Sequence, residues 1–152
     1  PKAIPLLVDH LRRPYHPRTK EGIARALTVK TAKPIAWEAL VQEFKRTKPD
    51  TDISEATRRG LKFALANALA YISDRTVLDD VLELVQDQRH GEDRFVLVGT
   101  LWRYSDERVI AALQNLVKDK DAPVARDAAT ALGRIQKRTA KAVGNPDGKR
   151  TR

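Results

Sequence analysis

The sequence predicts an all-α protein, an α-solenoid of about four helix pairs, and three observations predict it. Apolar residues recur at the i, i+3, i+4, i+7 spacing of a single buried helix face along most of the chain. The periodic segments come in pairs joined by charged or proline-containing turns. The pairs also superimpose without gaps. A shift of 105 carries Ile4, Val8, Leu11 and Leu27 onto Val109, Leu113, Leu116 and Leu132, and a shift of 31 carries Leu78, Leu82, Val85, Leu97 and Leu101 onto Val109, Leu113, Leu116, Ala128 and Leu132. Such a unit buries its apolar face by stacking on its neighbours.

The first unit, about 3–30, opens with the stripe Ile4, Leu7, Val8, Leu11. Pro14 and Pro17 interrupt it, and Pro17 opens a second helix through Ile23, Ala24 and Leu27 to about Lys30. The second unit, about 34–72, has Trp37, Leu40, Val41 and Phe44 as its first stripe, followed by a longer polar turn. Asp52 with Glu55 reads as a capping box for a helix from Ile53 to about Ile72 that carries Leu61, Leu65 and Leu69. The third unit, about 74–103, pairs Val77 to Val85 with a helix from Phe95 to Leu101 across a turn at Gln86 to Gly91. The fourth, about 106–137, has Ser105 as its expected cap, the turn Lys118-Asp119-Lys120-Asp121, and Pro123 just inside an alanine-rich helix. These units make a repeat domain over 1–137, and 138–152 reads as a basic, flexible tail.

A chain of 152 residues is one domain's worth and buries a core without staples. It has no cysteine, which excludes disulfides and thiolate chemistry and fits a cytoplasmic location. Its apolar stretches fall well short of the roughly 20 residues that span a bilayer, so no membrane partner is expected. The net charge of +9 raises nucleic acid as a partner. Residues 1–48 hold 11 basic and 4 acidic side chains, residues 49–136 hold 12 and 15, and residues 137–152 hold 6 and 1. The excess sits at the two ends, which argues against a continuous phosphate-tracking groove.

The fourth unit resembles the HEAT repeat, particularly the HEAT-like repeats of bacterial proteins and of the phycobilin lyases. Asp119 and Asp121, Pro123, Val124, Ala128-Ala129, Ala131-Leu132-Gly133 and Ile135 match its paired aspartates, proline, valine and alanine-rich ending. The likeness covers roughly 3–136, strongest in the last unit and weakest in the second. It implies a right-handed solenoid and says little about function. It also implies a basic column seven residues before the final leucine of each unit, where the family uses arginine to join successive repeats through the turn aspartates. Lys20, Lys62 and Arg94 occupy that column, and Ala125 breaks it with Arg126 alongside. Joining repeats is the favoured role, with ligand binding the other.

No catalytic constellation emerges, and neither a metal site nor a small-molecule cofactor is expected. His10, His16 and His90 lie in different units, and none is followed by glutamate. Asp79, Asp80 and Glu83 read as a solvated helix face. The candidate residues are for binding. Arg18, Arg25, Arg58, Arg59, Trp102 and Arg103 are expected on the outward side of the second helices, and Arg12, Arg13, Lys45 and Arg46 on one edge of the array. Trp102 stands where the fourth unit has Gly133, so it is either packing at a junction or an exposed anchor. These features describe a non-enzymatic scaffold or adaptor that binds another protein with an acidic surface. The alternative is nucleic-acid binding through the basic N-terminal edge and the C-terminal tail.

Overall fold

Residues 2–49 and 52–143 are described by the structure, a computed structural model. They form eight α-helices and, among the described residues, no strand: α1 (Ala3–Arg12), α2 (Pro17–Ala26), α3 (Lys33–Arg46), α4 (Glu55–Ile72), α5 (Leu78–Gln86), α6 (Phe95–Val98), α7 (Glu107–Leu116) and α8 (Ala122–Val143). No helix among them is long and apolar enough to cross a membrane.

The apolar stripes end in the core. Ile4, Val8 and Leu11 are buried on α1, Leu78, Leu82 and Val85 on α5, and Val109, Leu113 and Leu116 on α7. Helix α4 buries Leu61, Leu65, Leu69 and Ile72 together with Ala64, Ala66, Ala68 and Ala70. Its small side chains let helices approach on two sides, and it packs against α2, α3 and α6. The even-numbered helices pack in succession, α2 on α4, α4 on α6 and α6 on α8, while α1 lies on α3 and α5 on α7.

Several local expectations are corrected. Helix α4 begins at Glu55 and is capped by Ser54, whose Oγ accepts from the Thr57 N–H at 3.3 Å, so Asp52 with Glu55 is not its capping box. Ser54 immediately precedes the first helical residue, which is where a cap must stand to reach N3. Helix α7 is likewise capped by Asp106, accepting from the Arg108 N–H at 2.9 Å, and not by Ser105. Helix α2 ends at Ala26, short of Lys30, which begins a 3-10 turn to Ala32. Pro17 does open α2, with His16 as cap.

The largest departure is in the third unit. The helix expected from Phe95 to Leu101 is only the four residues of α6, between 3-10 turns at Gln88–Arg94 and Leu101–Arg103. Gly91 takes a φ of 55° there, a conformation that stops a helix from forming earlier. At the other end α8 continues through Val143, past the expected boundary at 137, and the rest of the expected tail lies outside the described residues.

The acidic face of α5 is exposed but not merely solvated. Asp80 accepts from the Trp37 indole at 2.6 Å, Glu83 pairs with Lys45 at 2.5 Å, and Asp79 pairs with Arg108 at 2.5 Å. One helix face thus ties α3 on one side to α7 on the other.

Candidate functional site

The binding residues expected from the sequence are mostly engaged within the chain. Arg13 pairs with Asp9 at 2.5 Å, Arg25 with Glu21 at 2.7 Å, Lys45 with Glu83, Arg46 with Glu43 and Arg59 with Glu92. Arg58 is held by Glu55 at 2.7 Å and Asp93 at 2.8 Å, contacts that raise its pKa. Arg103 donates to the Ala70 carbonyl near the C-terminus of α4 and to Ser73 Oγ at 3.1 Å. A cation is favoured at that end of a helix. Arg12 and Arg18 are exposed and make no ion pair among the described residues. Surface pairs of this kind contribute little to stability but remove free charge.

The turns of the first two units do meet. Tyr15 and Pro17 line a shallow cleft of about 190 Å³ with Arg46, Thr47 and Lys48. Arg12, Arg13 and Arg18 are not among its lining residues.

Trp102 is half-buried against the core edge, and the Arg134 guanidinium lies 5.3 Å from its ring centroid. Phe63 on α4 is 45% exposed and stacks on the half-buried Phe95 of α6, with ring centroids 6.1 Å apart. Phe63 is thus exposed and Trp102 only partly buried, so each leaves part of its ring outside the core. The sequence reading passed over Phe63 because it sits at a helical position of no special spacing.

The basic column is buried at all three members, and each spans adjacent units. Lys20 pairs with Glu43 of α3 at 2.8 Å, both nearly inaccessible. Arg94 is 0% exposed and donates to both Asp119 oxygens at 2.9 Å, to Asp121 at 2.8 Å, and to the Gly91 and Val85 carbonyls. Asp119 is held below the usual carboxylate range: burial pushes it up, and the Arg94 hydrogen bond, the Asp121 N–H and the charges of Arg94 and Lys120 together outweigh that.

Lys62 differs from both. Its ammonium donates to the Phe44 carbonyl at 2.7 Å, lies 3.3 Å from His90 Nδ1 and sits 3.8 Å from the Phe44 ring centroid. Burial pushes its pKa down to about 8, with the charges of Asp93 and Asp87 opposing. An ammonium only donates, so His90 Nδ1 accepts and Nε2 carries the imidazole proton. That Nε2 is buried without a hydrogen bond, although Asp87 Oδ2 stands 3.5 Å away. Burial, followed by the Lys62 charge, pushes His90 down to about 4, so the ring is neutral at pH 7.

Lys62 and His90 line a cleft of about 480 Å³ between the polar turn after α3 and the turn at Gln88–Arg94. Among the described residues, no group of three or more histidines, cysteines or carboxylates has metal-holding geometry. Comparison with protein-family models, with curated proteins and with solved structures found no match for the chain.

Proposed function

We propose that this chain is a HEAT-like helical-repeat module, a right-handed solenoid of four helix pairs, that binds a protein partner and carries no catalytic activity. The solenoid is supported by the succession of contacts along the even-numbered helices and by the buried column that joins adjacent pairs. The observation that carries the binding reading is the exposed Phe63 stacked on Phe95, in the same helix row as the Trp102 and Arg134 stack. Exposed aromatics flanked by arginine are the composition of interface anchors. Arg18 on α2 and Lys137 and Lys141 on α8 are exposed and free of ion pairs among the described residues, which suits an acidic partner surface.

The test is capture of partners from a native lysate by the immobilised chain and by Phe63→Asp/Trp102→Asp. We expect the variant to keep its helical circular dichroism and lose the partners. Identical captured sets would sink the reading.

A second reading, nucleic-acid binding, is favoured by one feature. Arg134, Lys137, Arg138 and Lys141 are all exposed on α8 without a carboxylate partner among the described residues. Its signature is an affinity for duplex or single strands that falls steeply with salt. Absence of binding to either at about 50 mM salt removes it.

A further inference from the structure

Two members of the buried basic column are completed by carboxylates of the chain itself, and the third is not. Glu43 meets Lys20, and Asp119 with Asp121 meets Arg94. No carboxylate oxygen among the described residues lies within 4.0 Å of the Lys62 ammonium, which is only 2% exposed. The repeat spacing shows why. The shift of 31 that superimposes the third unit on the fourth puts Gln88 at the place of Asp119 and His90 at the place of Asp121. Where Arg94 finds two aspartates, Lys62 finds a neutral imidazole.

A buried ammonium with no carboxylate in contact is repaid only in part for its desolvation, here by the more distant charges of Asp93 and Asp87. Among the described residues its ammonium meets two acceptors, the Phe44 carbonyl and His90 Nδ1, which leaves one of its three N–H groups for a further acceptor. In front of it lies the 480 Å³ cleft, a volume within the range of small-molecule sites. Lys45, Lys48 and Arg89 bring further positive charge to its lining. The acids that also line it, Glu55, Glu92 and Asp93, are each already held by Arg58 or Arg59.

We propose that this cleft binds a small organic acid, whose carboxylate takes on Lys62 the place that the turn aspartates take on Arg94. A carboxylate is the matching group because both completed members of the column use one. The proposal is independent of the partner-binding reading, which concerns Phe63 and Trp102.

The experiment follows the Lys62 side-chain and His90 ring resonances by NMR while the chain is titrated with succinate, with succinamide as the uncharged control and inorganic phosphate as the competing anion. Saturable shifts with succinate, and affinity at least about tenfold weaker for succinamide, are expected. His90→Asp supplies the missing carboxylate internally. It should fold with an unchanged or higher Tm and bind succinate at least about tenfold more weakly. Lys62→Met, which removes the charge, should do the same to binding, read on the His90 ring. The proposal is overturned if succinate gives no saturable shift in the wild-type chain up to about 100 mM. Undiminished affinity in a folded His90→Asp or Lys62→Met variant, or tighter binding of phosphate than of succinate, overturns it equally.

Discussion

Arg94 and His90 show how differently two buried polar residues behave in neighbouring positions of one repeat. Arg94 satisfies its donors with two aspartates and two carbonyls, so its charge is neutralised where it is buried. Arg94→Met would leave Asp119 buried without its partner, and a loss of about 3–5 kcal/mol in urea unfolding is expected. His90 predicts a pH effect. Its neighbours are Lys62, Asp87, Arg89 and Lys45, and its pKa of about 4 lies below the ordinary 6.5. Between those values the unfolded chain binds the proton and the folded chain does not, so stability falls as pH drops from 6.5 to 4. The depression amounts to roughly 3 kcal/mol across that window. Thermal melts at pH 7, 5 and 4 should therefore slope less for His90→Gln than for the wild-type chain. Asp74, held down to about 2 mainly by its hydrogen bond from Lys33, stays ionised throughout. Burial of Lys62 has the same sign at higher pH: between about 8 and 10.5 the chain gains stability as pH rises.

At the scale of elements, the third unit is the irregular one, and a glycine marks the reason. Gly91 has φ 55°, where a side chain is strained, so Gly91→Ala should lower stability by about 1 kcal/mol. Gly133 lies inside α8 with nothing within 4 Å of where a Cβ would sit. Gly133→Ala should raise stability by about 1 kcal/mol through helix propensity alone. Opposite shifts in Tm check both, and equal shifts would contradict the backbone account of the α5 to α6 turn. The helix stripes themselves were legible in the sequence, because 3.6-residue periodicity marks a buried face directly. The starts of α4 and α7 were misread by one or two residues. Ser54 and Asp106 have equally good capping chemistry next to them in Asp52 and Ser105, and only the backbone path selects between them.

For the molecule as a whole, the joints between pairs are polar as well as apolar. Lys20 to Glu43, Trp37 to Asp80, Arg94 to Asp119 and Asp79 to Arg108 each cross from one pair to the next. Cutting one joint should loosen what lies beyond it more than what lies before it. Amide exchange in Arg94→Met is therefore expected to accelerate more across α7 and α8 than across α1 to α4. A uniform increase over the whole chain would mean that the domain opens only as one unit.

The sequence by itself determined the all-helical class and the buried stripes of the helices, since these follow from local spacing. It placed Arg58, Arg59, Lys45 and Arg46 as free binding charges, and tertiary structure gave each a carboxylate. Spacing along a chain cannot say which acid folds against which base. Tertiary structure also decided that Lys62, unlike the other two members of its column, meets no carboxylate among the described residues. Counter-charge is set by residues 23 to 27 positions away, brought close only when the pairs stack.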